Sequence, residues 1–229
     1  MNIQILHLIE GARKATGLTV VIDVFRAFSV APYAFANGVD KIIPVGSLEK
    51  AQKLKAENPT WLLAGERHEQ KVPGFDFGNS PSQILEADLQ GKTLIHTTSA
   101  GTQGLVNAVN AGEILTGSFV NAGAIINYIK TKQPETVSLV CMGYSTQYPV
   151  EEDTFCAEYI KNELEERKNN FDEMVSIIRQ TSGARFFDEE KQTFAPSSDF
   201  DLCLSLNRFD FVIKAKKTVD GYELRMATV

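Results

Sequence analysis

Cysteine is scarce in this sequence: Cys141, Cys156 and Cys203 lie far apart and form no CxxC pair. That excludes a disulfide-stapled scaffold and a cysteine zinc site, and it fits free thiols in a reducing cytoplasm, where the protein is expected to reside. Histidine is equally sparse, and His7, His68 and His96 have no ligand spacing to one another. His7 and His96 read as structural, and His68 is a weak site candidate because it follows Glu66 and Arg67. No apolar run reaches the roughly 18 residues of a membrane span, so no membrane association is expected. The opening stretch MNIQILHLIEGARK lacks a basic start followed by an apolar core and does not read as a signal peptide. Positive charge is in deficit, with 23 Lys and Arg against 29 Asp and Glu and a net charge of −6. A nucleic-acid surface is therefore not expected. An anionic substrate would need local cations or a metal to reverse the sign of the field inside its site.

What is present is an alternation of short apolar runs and longer amphipathic stretches over 229 residues, 43% of them hydrophobic. Strands are expected at Leu18–Ile22, Lys41–Val45, Trp61–Ala64, Lys92–Ile95, Glu113–Thr116 and Thr136–Cys141. Helices are expected at Ser29–Asn37, ending at Gly38, and from a Ser47 cap to about Glu57, then near Ser82–Ala87 and at Thr102–Asn110, Val120–Thr131 and Glu152–Asn169. This rhythm predicts a single α/β unit: a three-layer α/β/α sandwich around a largely parallel or mixed sheet. Residues 18–60 and 92–131 share one plan of strand, loop, helix, strand and helix, which suggests two related halves. Near the C-terminus, Phe211–Lys217 and Tyr222–Met226 flank Val219-Asp220-Gly221 and read as a hairpin. Gln192–Asp201 reads as a loop.

Ligands of parallel α/β sheets bind beyond the carboxyl ends of the strands, so the residues just after each strand carry the chemistry. In order these are Asp23 and Arg26; Glu66 and Arg67; Asp76, Asn79 and Ser80; Thr97, Thr98, Ser99 and Thr102; and Glu152 and Asp153. Carboxylates with an Asn and hydroxyls are hard oxygen donors that suit Mg²⁺ rather than zinc. Arginines suit bidentate recognition of phosphate, carboxylate or sulfonate. The TTSAGT segment before a helix offers hydroxyls and free N–H groups as an anion cradle. Each residue also has an ordinary use, as a helix cap, a solvated charge or an acidic first turn. It is their coincidence at one sheet edge that points to a metal-assisted site for a small, multiply anionic substrate. Several familiar signatures are missing: no Asp-x-Asp follows the first of these strands, no cysteine begins a Cys-x5-Arg, and there is no Walker loop.

The motifs VVIDVFRAFS, GER, GFDFGNSP, TTSAGT and EEDTFCAEYI, in that order, resemble those of the 2-phosphosulfolactate phosphatase family over nearly the whole chain. The resemblance implies an α/β/α sandwich with related halves and a Mg²⁺-dependent phosphatase that converts 2-phospho-3-sulfolactate into 3-sulfolactate on a route to coenzyme M. It implies catalytic roles for Asp23, Arg26, Glu66 and Arg67. Substrate contacts are implied for Asn79, Ser80, Thr97, Thr98, Ser99 and Thr102, and Mg²⁺ ligation for Asp23, Asp76, Glu152 and Asp153. Arg67 is the arginine expected to hold the sulfonate or carboxylate end. Two positions depart from the pattern: Phe28 stands where a small hydroxyl residue is common, and Ser99-Ala100-Gly101 replaces a commoner Asn-Gly. A phosphatase of another phospho-hydroxy acid, or a non-catalytic anion-binding protein, are the alternative readings. A homodimer is expected on the base rate for such enzymes.

Overall fold

A computed structural model describes residues 1–228. The N-terminal residues, not assigned to any element above, form a strand, β1 (Asn2–His7), that runs directly into helix α1 (Leu8–Lys14). Then follow β2 (Leu18–Ile22), α2 (Ala27–Ala36), β3 (Lys41–Pro44), α3 (Leu48–Glu57), β4 (Leu62–Arg67) and the short β5 (Gln70–Lys71). The middle of the chain continues with α4 (Pro81–Leu85), β6 (Thr93–Thr97), α5 (Gly101–Asn107), β7 (Glu113–Gly117), α6 (Ala122–Lys132) and β8 (Thr136–Cys141). The C-terminal part comprises α7 (Glu151–Leu164), α8 (Phe171–Gln180), α9 (Ser197–Cys203), β9 (Phe211–Thr218) and β10 (Gly221–Thr228).

Three expected boundaries shift for local reasons. The helix expected at Ser29 begins at Ala27, because Ala27 N–H already donates to Asp23 Oδ1. The long helix expected from Glu152 stops at Leu164, and a new one starts where Asn170 Oδ1 accepts from Glu173 N–H. The stretch expected as a loop at 192–201 contains most of α9. Its polar start, Ser197-Ser198-Asp199, masks a short helix whose Phe200 and Cys203, three apart, are both buried.

The ten strands form one mixed sheet in the order β1-β8-β2-β7-β9-β10-β3-β6-β4-β5. Two parallel blocks, β1-β8-β2-β7 and β3-β6-β4, are joined through the antiparallel C-terminal hairpin β9–β10. The segments 18–60 and 92–131 cross between these blocks in opposite directions, β2 to β3 and β6 to β7. Strand β2 is buried along its whole length, as a strand covered on both faces must be, and its residues divide accordingly. Leu18, Val20 and Ile22 pack in a cluster with α6 and α7 residues, while Val21 faces the cluster built about α2 and α5. That second cluster also takes Ile42, Ala64 and Leu94 from the other block, so both blocks pack on the same two helices. A third cluster, including Val45, Leu63, Ile95 and Ala51 of α3, covers the remaining face. Helices thus flank a large central sheet in a three-layer α/β/α sandwich. The packing brings the end of β2 beside the start of α5: a Cβ on Gly101 would lie 2.7 Å from Asp23 Oδ2 and 2.8 Å from Ala27 Cβ, so only glycine permits that approach.

Candidate active site

Asp23 ends β2 at the carboxyl edge and is 5% exposed. Its Oδ1 accepts from Ala27 N–H at 3.1 Å, and the Gly101 backbone packs close against its Oδ2. Burial, with the negative charges of Glu66 and Glu152, outweighs the lowering effect of the nearby backbone N–H groups and pushes its pKa up to about 7. Between Phe25 and Arg26 the peptide bond is cis.

Around Asp23 opens a narrow cleft lined by Phe25, Arg26, Glu66, Glu69, Asn79, Ser99, Ala100, Gly143, Tyr144, Ser145, Glu152, Asp153, Arg185 and Ala195. Residues from both sheet blocks meet there: those after β2 and β8 with those after β4 and β6. Glu66 is held by two turns: Ser99 N–H of the β6–α5 turn donates to Oε1 at 2.7 Å, and Glu69 N–H of the β4–β5 turn to Oε2 at 3.0 Å. Asp153 ties two strand ends together: Val24 N–H donates to Oδ1 and Gly143 N–H to Oδ2, each at 2.8 Å. Burial and the neighbouring Glu152 and Asp23 push the Asp153 carboxyl above its ordinary range, and the two amide bonds pull the other way. Glu152 is 2% exposed, and its Oε2 has no hydrogen-bond partner. Burial raises the Glu152 carboxyl, and Arg185 partly offsets this.

Asn79 is oriented by a histidine that sequence reasoning set aside as structural. His96 is fully buried, which lowers its pKa to about 4 and keeps it neutral. Its Nε2 lies 3.2 Å from Asn79 Oδ1 and donates to it, leaving the amide NH₂ available to the cleft.

Several expected site residues lie elsewhere. Asp76 does not line the cleft: it is exposed, accepts from Leu63 N–H at 2.8 Å and sits 3.9 Å from Lys55. Arg67 turns back along the sheet edge, donating to Glu66 O, Thr97 O and Thr97 Oγ1. Thr98 and Thr102 cap one another, Thr98 N–H to Thr102 Oγ1 at 3.0 Å and Thr102 N–H to Thr98 Oγ1 at 3.3 Å. Ser80 is the N-cap of α4. Of the expected anion cradle, Ser99 lines the cleft, whereas Thr97, Thr98 and Thr102 are consumed by protein bonds.

Two residues missing from the sequence reading complete the site. Asp199 of α9 is fully buried, and its Oδ2 accepts from Arg26 Nη1 at 2.7 Å. Its Oδ1 accepts from Ser80 Oγ and Ser82 N–H, both at 3.0 Å. Arg185, in a helical turn at Ala184–Phe187, donates to Glu69 Oε1 at 2.9 Å. Neither follows a strand, so reading the strand ends could not find them. The only signal was a charged residue among aromatics, in ARFFD and SSDFD.

Within this cleft five carboxylates face two guanidiniums. Among the described residues no three His, Cys, Asp or Glu side chains are grouped closely enough to form a metal cage. The buried, unpartnered Glu152 Oε2 beside the crowded Asp23 is nonetheless a donor set that a hard cation would satisfy, and Mg²⁺ commonly takes only one or two carboxylates with substrate phosphate and water.

Comparison with known proteins agrees with the motifs. A family model described as 2-phosphosulpholactate phosphatase matches residues 3–218. A protein of Caldanaerobacter subterraneus named "Probable 2-phosphosulfolactate phosphatase" is 30% identical over 87% of this chain and 88% of its own length. A protein of the same name from Clostridium perfringens is 37% identical over 89% and 90%. Another, from Thermotoga petrophila, is 41% identical over a shorter region, 58% of this chain and 56% of its own. With its motifs gathered at one cleft and the match running almost from end to end, the chain belongs to the 2-phosphosulfolactate phosphatase family.

Proposed function

We propose that the protein is a Mg²⁺-dependent phosphatase that hydrolyses 2-phospho-3-sulfolactate to 3-sulfolactate and phosphate, a step toward coenzyme M. The observation that carries this reading is the family match over residues 3–218, whose strand-end acids converge on one cleft with an unpartnered, buried Glu152 carboxylate oxygen. Asp23 and Glu152 are the residues that would hold Mg²⁺, which when bound supplies positive charge to the phosphoryl group. The chain's own residues do the rest. Asn79, fixed by neutral His96, donates its NH₂ to a substrate oxygen. The guanidiniums of Arg26 and Arg185 offset the carboxylates in a site that would otherwise repel a multiply charged anion. Glu66 and Asp153 hold the strand-end loops in register, so that these groups converge without rearrangement.

Phosphate release from 2-phosphosulfolactate, 2-phospholactate and phosphoglycolate, each with MgCl₂ or EDTA, tests the reading. Mg²⁺-dependent release with the highest kcat/KM on the sulfonated compound is expected. Binding of 3-sulfolactate with no phosphate release from any substrate would instead mark an anion-binding protein. A cytoplasmic homodimer completes the reading, and light scattering of the purified protein checks its mass.

A further inference from the structure

The two cleft arginines are in different states. Arg26 is 5% exposed and committed to the fully buried Asp199, with its Nη2 on Glu69 O at 3.3 Å. That pair is closed: both charges are out of water, and Asp199 has a serine hydroxyl and an amide besides. Arg185 is more open, at 15% side-chain exposure, and its partner Glu69 is 19% exposed. Glu69 stands on a turn where both it and His68 adopt positive φ, 68° and 53°. The second Arg185 terminus makes only a long contact, 3.4 Å to Phe25 O. Three aromatic rings surround the guanidinium, with centroids at 5.3 Å for Phe186, 5.6 Å for Tyr144 and 5.7 Å for Phe25.

We propose that Arg185 is the specificity-determining receptor for the substrate's sulfonate, and that Glu69 is its counter-ion in the ligand-free cleft, displaced when substrate enters. The proposal rests on the phosphatase reading above. In 2-phospho-3-sulfolactate the carboxylate and the phosphoester share one carbon, whereas the sulfonate is one carbon farther out. The carboxylate therefore stays near whatever binds the phosphate, and the sulfonate must reach a separate cation. Arg26 is occupied by Asp199 and Arg67 lies outside the cleft lining, which leaves Arg185. A guanidinium is weakly hydrated and forked, and seated among aromatic faces it suits an oxyanion that is itself weakly hydrated. The Glu69 carboxylate already occupies the position such an anion would take.

The test is steady-state kinetics of wild type, Arg185→Lys, Arg185→Gln and Glu69→Gln on three substrates: 2-phosphosulfolactate, 2-phospholactate (no sulfonate) and O-phosphoisethionate (no carboxylate). Arg185→Lys, which keeps the positive charge but loses the fork, is expected to raise KM about tenfold or more on both sulfonated substrates and far less on 2-phospholactate; Arg185→Gln also removes a charge that offsets the cleft carboxylates and is expected to raise KM on all three, most on the sulfonated pair. Urea unfolding midpoints close to that of wild type show that the variants fold. Glu69→Gln, which removes the competing charge, is expected to lower KM for the sulfonated substrates. Equal KM increases on all three substrates for Arg185→Lys, or a Glu69→Gln variant that rises with the arginine variants, would overturn the assignment and make the pair structural. Calorimetric titration with 3-sulfolactate separates the two readings. If wild type releases no phosphate yet binds 3-sulfolactate and Arg185→Lys weakens that binding, the phosphatase reading fails and the anchor stands. If wild type is active and Arg185→Lys binds as tightly, the anchor fails and the phosphatase reading stands.

Discussion

Asp23→Asn is expected to make the metal-free protein more stable while removing its turnover. In the fold the Asp23 carboxyl keeps its proton until about pH 7, against an ordinary value of 3.8. Between those values the folded state binds more protons than the unfolded chain, so stability falls as pH rises through the window. The contribution is intact below pH 3.8 and lost above about pH 7. An interval of about 3 pH units is worth about 4 kcal/mol. Asn carries no charge to bury. It keeps the bond from Ala27 N–H through its carbonyl oxygen, but its amide NH₂ is then packed against the Gly101 backbone without a partner, which costs about 1 kcal/mol. The variant is therefore expected to be about 1 kcal/mol less stable than wild type near pH 4 and about 3 kcal/mol more stable at pH 8. For a chain of this size that gain raises Tm by about 6–12 °C. Urea unfolding in EDTA from pH 4 to 8 measures it, alongside phosphate release in MgCl₂, where a loss of about 10²-fold or more, roughly 3 kcal/mol, is expected. A variant that gains no stability between pH 4 and 8 would refute the account of a crowded, desolvated carboxylate. Near-normal turnover would refute its chemical role.

Asp199→Ala leaves the Arg26 charge buried without a partner and is expected to cost about 3–5 kcal/mol in urea unfolding, with the double change Arg26→Met, Asp199→Leu recovering most of it; a loss under about 1 kcal/mol would count against a closed pair. Gly101→Ala puts a methyl 2.7 Å from Asp23 Oδ2 and 2.8 Å from Ala27 Cβ and is expected to destabilise by about 1–3 kcal/mol while lowering turnover, both read on one preparation. Burial keeps the thiols of Cys141, Cys156 and Cys203 protonated and out of reach. A thiol reagent at pH 8 is therefore expected to leave the native protein unlabelled and to label all three after unfolding in guanidinium, and rapid native labelling would contradict the packing.

The elements legible from sequence are those whose periodicity is local. LTVVI is apolar on both alternating faces and declares a doubly covered strand; Ser47 caps α3 by accepting from Lys50 N–H; Val219-Asp220-Gly221 turns the C-terminal hairpin. Because ligands gather at the carboxyl ends of parallel strands, the positions of Asp23, Glu66, Ser99, Glu152 and Asp153 at one edge also followed from the strand pattern. Sequence alone could not decide what each of those side chains meets, because that depends on partners far along the chain. Thr98 and Thr102 look like an anion cradle until the helix start turns their hydroxyls on one another, and Asp76 looks like a metal ligand until the loop directs it to Leu63 N–H. Arg67 and Arg185 are equally charged in the sequence. Only the packing of Phe25, Tyr144 and Phe186, from three separate segments, places Arg185 in the cleft while the sheet edge draws Arg67 away. Asp199 needed more still: a polar stretch had to fold as α9, against α4, before its carboxylate could meet an arginine 173 residues earlier. Hydrophobic periodicity encodes which face of an element is buried, and the long-range meeting of charges is settled only when those faces have been packed.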